Sequence, residues 1–160
     1  MLGIRPNERR TYAFTLVEVL IVVMLLAVLA MIAIPRFSGA SEQARESALA
    51  TDLQTVRRQI EIYKSDHNGR GPHINELGAL DTIRFTGRLL SKTTVDGKID
   101  NTNGTCGPYL REWPSNPFVP DSVATSIKYG TGAPARDDSS GWYFNTATGM
   151  LYPNSVEGPQ

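Results

Sequence analysis

Residues 14–34 read FTLVEVLIVVMLLAVLAMIAI, an apolar run whose only ionisable side chain is Glu18. At about 1.5 Å of rise per residue the run makes roughly 30 Å of helix, the hydrocarbon thickness of a bilayer. Ahead of it, residues 1–13 carry Arg5, Arg9 and Arg10 against Glu8, and no arginine or lysine falls inside the run. That asymmetry predicts a cytoplasmic N-terminus and places everything after Arg36 on the far side. A carboxylate within such a segment costs on the order of 2.5–3.5 kcal/mol near a bilayer centre, so Glu18 needs a reason. A plain anchor supplies none beyond the positive end of its own helix. A secretory signal peptide is the other reading, with Ser38-Gly39-Ala40 as a cut site, but the run exceeds the roughly 7–15 residues of an ordinary signal core.

The rest of the composition is neutral ground. The 160 residues hold 16 basic and 16 acidic side chains and are 41% hydrophobic, enough for one modest domain and no field to attract nucleic acid. A single cysteine, Cys106, excludes an intrachain disulfide. After Pro35 the positions Phe37, Ala40, Ala44, Ala48, Leu53, Val56, Ile60 and Tyr63 recur mostly three or four apart. This predicts an amphipathic continuation of the helix to about residue 67, stopped by Asn68-Gly69. Beyond residue 71 the chain turns to Gly, Pro, Asn, Thr and Ser. Asp96-Gly97 between Thr93-Thr94-Val95 and Lys98-Ile99 predicts a hairpin. Trp142-Tyr143-Phe144 and Met150-Leu151-Tyr152 around residues 145–149 predict a second, and residues 126–129 another strand. The expected fold is α+β: a long N-terminal helix packed on a small antiparallel sheet.

Tyr12-Ala13-Phe14-Thr15-Leu16-Val17-Glu18 resembles the prepilin peptidase site of type IV pilins and type II secretion pseudopilins, with Ala13 where that family usually has Gly. The resemblance implies a leader of residues 1–13 removed between Ala13 and Phe14, N-methylation of Phe14, and an assembly role for Glu18. It further implies a filament-core transmembrane helix over 14–35, with Pro35 as its bending proline, and an extracytoplasmic head over 36–160. Ile60-Glu61-Ile62-Tyr63-Lys64, Gly69 to Pro72, and Gly107-Pro108-Tyr109-Leu110 with Trp113 to Phe118 are similar to the major pseudopilin branch. The partners implied are further copies of the chain, minor pseudopilins, the prepilin peptidase, an inner-membrane assembly platform and membrane lipid, with the head in the periplasm.

The same branch carries a calcium-binding loop, which the resemblance places at Asp137 and Asp138, with Asp121 as a further oxygen donor. Otherwise the chemistry is sparse. His67 and His73 flank a Gly-Pro turn without nearby ligands and read as solvent-facing. Gly130-Thr131-Gly132 lacks the context of a phosphate loop, and Asn103-Gly104-Thr105 is a sequon with little meaning in a bacterial-type chain. No serine, histidine and acid grouping emerges, so the chain does not read as an enzyme. The competing class is a membrane-anchored binding module that stays monomeric, which would need neither Glu18 nor the Phe14 context.

Overall fold

The computed structural model describes residues 14–158, with the side chains of 32–39 outside the description. The chain divides into two compact units, 1–42 and 43–160. Helix α1, Leu16–Asp66, contributes to both.

Thr15 caps α1: its hydroxyl accepts from the Glu18 amide at 3.2 Å while the Glu18 carboxylate accepts from the Thr15 amide at 3.4 Å and its hydroxyl at 3.3 Å. This is a capping box, which satisfies two of the amides that every helix start leaves free. At the other end Asn68 and Gly69 take positive φ of 57° and 81°, and the Gly69 amide reaches back to the Lys64 carbonyl at 2.7 Å. That closure satisfies a carbonyl that would otherwise be orphaned, and it ends the helix where the Asn-Gly pair predicts.

In the first unit the apolar side chains from Leu16 to Met31 are all exposed. Among the described residues no helix is long and apolar enough to cross a membrane; the apolar run continues to Ile34, beyond the last side chain described before residue 40. Pro35 lies within the span of α1 and its side chain is outside the description.

The second unit is the head. Its part of α1 buries Leu49, Leu53, Val56, Ile60 and Tyr63, a stripe spaced four and three residues apart. The expected stripe began earlier, but Ala40, Ala44 and Ala48 are exposed and Leu49 takes the inner position. A single methyl group gives alanine little drive toward the core, and the leucine one residue on wins the face. Against this stripe pack Phe85 and Leu89 of α2 (Phe85–Leu90), together with Trp142, Phe144 and Leu151 of the sheet. Tyr109, Leu110, Trp113 and Phe118 close the sides.

The sheet has the order β1 (Ile127–Gly130), β2 (Trp142–Asn145), β3 (Met150–Pro153). The β2–β3 hairpin has the expected place, with Phe144 opposite Leu151. The sheet is mixed, however, where an antiparallel one is expected: β1 runs parallel to β2, Tyr129 opposite Phe144. Residues 131–141 are the reason, since a connection of that length carries the chain back to the starting edge, whereas an antiparallel neighbour needs only a tight turn. The Asp96-Gly97 turn forms, with Gly97 at φ 90° and its amide on the Thr94 carbonyl at 2.8 Å, but its flanks form only the isolated bridge Thr93–Ile99. Thr93 also bridges Cys106, so this segment pairs outside the sheet.

Candidate functional site

Two places carry the sequence-level expectations. The first is the start of α1. Ala13 lies outside the described residues, so the expected processing junction is represented only by Phe14, which is 82% exposed. Glu18 is exposed on the first turn, and the capping box gives its carboxylate an intramolecular role that the apolar run alone does not announce. Both of its hydrogen bonds are long, so the cap holds the group loosely. Among the described residues no cation lies within ion-pair distance of it. The acid is therefore oriented at the positive end of the helix while remaining accessible to a second partner.

The second place is the loop before β2. Asp137 accepts from Lys128 Nζ at 2.9 Å, from Asn154 Nδ2 at 2.9 Å, and from the amide and hydroxyl of Ser139. Those bonds, the Ser139 hydroxyl first and then the Lys128 ammonium, hold its carboxyl well below the usual carboxylate range. Asp138, at φ 55°, accepts from the Val156 amide at 2.8 Å. The organiser is Asn154, fully buried: its amide nitrogen also donates to Ser140 Oγ at 3.0 Å, and its side-chain oxygen accepts from the Arg136 amide at 3.0 Å. Behind the loop Gly141 lies so close to Ala124 that a Cβ there would overlap the Ala124 carbonyl.

Calcium would need several free oxygens converging on one point. Here Asp137 is engaged on both oxygens, one by an ammonium that occupies the cation's side, and Asp138 turns to the C-terminal segment. Among the described residues no three acidic, histidine or cysteine groups gather as a metal site. The donor set as arranged does not fit the ion.

Several buried polar side chains that organise the head escape a reading of the sequence. Arg88 is 1% exposed and donates to the carbonyls of Gly97 (3.0 Å), Pro72 (3.1 Å) and Asp81 (3.3 Å) and to the Asp81 carboxylate (2.8 Å). One guanidinium thus ties three loop segments to α2. Burial would push the Asp81 carboxyl up, but the hydrogen bonds and charges of Arg88 and Arg84 outweigh it and bring it down. His67 and His73, expected at the surface, are buried. His67 stacks on Tyr63 with centroids 3.7 Å apart, its ring nitrogens on the Tyr63 carbonyl (2.7 Å) and Thr93 Oγ1 (2.9 Å). His73 packs on Phe144, its Nδ1 without a partner among the described residues. Each ring has an aromatic face to cover, which a Gly-Pro turn leaves room to do. The Thr15-x-x-Glu18 spacing was the one available signal of this kind, a capping signature ahead of an apolar run.

Residues 9–34 match the prokaryotic N-terminal methylation motif. The chain is 29% identical over 144 residues to type II secretion system core protein G of Dickeya chrysanthemi, covering 84% of this chain and 87% of that protein. It is 29% identical over 141 residues to the protein of the same name from Pseudomonas aeruginosa, covering 84% and 92%. It is 31% identical over 71 residues to the ComG operon protein 3 homolog of Bacillus licheniformis, covering 44% of this chain and 70% of that one. No solved structure matches. With the methylation motif at its start and these relatives, the chain belongs to the type IV pilin-like proteins, among the pseudopilins.

Proposed function

We propose that this protein is a structural subunit of a pilus-like filament, the major pseudopilin of a type II secretion system. The observation that carries the reading is Glu18: an acid at the head of an apolar run, in the methylation motif, held by its own Thr15 cap yet open to a neighbour. Cleavage between Ala13 and Phe14 creates an amine within reach of that acid on an adjacent copy, and in low dielectric the pair is stronger than in water. Before assembly residues 14–35 anchor the subunit in the inner membrane, leader toward the cytoplasm and head in the periplasm; afterwards they form the filament core. Its partners are the peptidase that removes the leader, the inner-membrane assembly platform, minor pseudopilins and its own copies. Similarity over most of the chain to core protein G supports secretion over adhesion or motility. The role is structural and uses no catalytic group.

Two measurements test it. N-terminal sequencing of the membrane-retained protein begins at Phe14, and a start at Ser41 would instead mark an ordinary exported protein. Glu18→Gln is the second, and the cap makes it clean: glutamine keeps the capping-box acceptor and removes only the charge. The variant inserts and is cleaved but is depleted from sheared filaments. Wild-type filament yield from it would refute the assembly role.

A further inference from the structure

Beside α1 in the head lies a groove of about 370 Å³ lined by Asp52, Val56, Leu110, Glu112, Trp113 and Ser115. Its lining mixes the apolar Val56, Leu110 and Trp113 with two carboxylates, those of Asp52 and Glu112. Burial pushes the Asp52 carboxyl up, as expected for an acid whose charge lacks compensation. Trp113 lines the groove, and its buried Nε1 has no acceptor among the described residues. Across α1 the surface is basic: Arg57 lies over the Tyr152 ring at 5.3 Å with its Nε on the Leu151 carbonyl at 2.9 Å, and shares a depression with Arg136, Ala133 and Pro134. Among the described residues neither acid of the groove has a cation at ion-pair distance, and neither arginine a carboxylate.

The helix sets these two surfaces apart. With 3.6 residues per turn, Asp52 falls roughly 60° to one side of the buried stripe and Arg57 roughly 80° to the other. Two unlike, mutually complementary patches on separate flanks of one subunit are what an open helical polymer requires, because its contacts are heterologous; a two-fold dimer would use one self-complementary patch.

We propose that the Asp52/Glu112 groove of one copy receives the Arg57/Arg136 flank of the next copy in the filament. This rests on the filament reading and adds to it a head-to-head contact independent of Glu18. Rim-exposed ion pairs contribute little affinity each and are screened by salt, so the contact sets the register of the heads, while the apolar helices hold the polymer.

The experiment uses the full chain in producing cells. Ser115→Cys and Ala133→Cys, both small exposed positions on the two surfaces, are combined in a Cys106→Ser background, and sheared filaments are oxidised. A ladder of cross-linked multimers is expected, falling to background when Asp52→Asn and Glu112→Gln are added. Filaments that form normally without a ladder would overturn the contact and leave the filament reading intact. A ladder indifferent to the two acids would overturn the charge pairing, and cross-linking of Ser115→Cys to another protein would give the groove a different occupant. Absence of filaments from the parent chain would overturn the reading beneath the proposal.

Discussion

The two ends of α1 share one hydrogen-bonded helix and almost nothing else. Toward the N-terminus Val22, Leu25 and Leu29 are 53%, 59% and 63% exposed, and apolar residues occupy every face. Toward the C-terminus Val56 and Ile60 are each 1% exposed and charged residues fill the remaining faces. A helix that is apolar all round needs an apolar environment on every side, whereas a striped helix needs one partner and tolerates water elsewhere. The difference extends to the charges. Glu18 sits exposed on weak capping bonds, while Arg88 in the head is buried and donates four times. One end awaits its surroundings; the other already has them.

The largest expected effect sharpens that contrast between charges. Arg88→Met removes the guanidinium from three carbonyls and leaves the Asp81 carboxylate, itself mostly buried, with only the exposed Arg84 at 3.9 Å as a cation. Breaking a buried pair from one side costs about 3–5 kcal/mol, read by urea unfolding followed through Trp113 and Trp142, both in the head. Glu18→Gln leaves that transition unmoved. Equal losses from the two would erase the distinction between an anchored and a waiting charge.

The apolar positions give the next effect. Ile60→Ala is expected to cost about 2–5 kcal/mol, since the cavity opens among side chains that cannot collapse onto it. Leu25→Ala, at an exposed position of the same helix, shifts head unfolding by no more than about 0.5 kcal/mol. A large effect from Leu25→Ala on the head would show that the two units support one another.

What was legible in the sequence follows the range of the interactions involved. The apolar run, the Asn68-Gly69 stop and the Trp142–Tyr152 hairpin are local patterns, and each is found where it was expected. The parallel pairing of β1 with β2 was not legible, because its strands are joined through residues 131–141 and nothing in a run such as Ile127–Gly130 states direction. Helix α2 is six residues long with Gly87 inside it, too short for periodicity to register. The burial of His67, His73, Arg88 and Asn154 depends on carbonyls and rings brought together by folding, which no spacing encodes. At the start of α1 the motif residues are legible, whereas the capping bonds between Thr15 and Glu18 become visible only in the folded geometry.

A smaller effect tests the loop before β2. Asn154→Ala removes the buried amide that joins Arg136, Asp137 and Ser140, at a cost of about 1–3 kcal/mol, measured as a lower melting temperature. Because Lys128 and Asn154 already close this loop, calcium and its removal by chelation leave the wild-type melting temperature unchanged. A rise on adding calcium would show that the ion displaces Lys128 and restores the loop the resemblance implied.

The smallest effect is a pH slope, and it separates a group of the folded head from any on the exposed part of α1. Burial, followed by the charges of Lys64 and Arg88, lowers the pKa of His73 below its ordinary 6.5. In the unfolded chain the same ring titrates near that ordinary value. Between the two values the unfolded state binds a proton that the folded state refuses, so stability declines as pH falls below about 6.5 and is unaffected above it. Asp81 acts in a separate window, its lowered carboxyl withdrawing stability only below the ordinary 3.8. Unfolding measured between about pH 7 and about pH 5 therefore isolates the imidazole from that carboxylate. His73→Phe keeps a ring against Phe144, where the centroids are 5.0 Å apart, and removes the titration. The wild type loses stability across this window more steeply than the variant. Parallel curves would show that His73 stays hydrated enough to accept its proton in the folded head, and the buried site described for it would then be wrong.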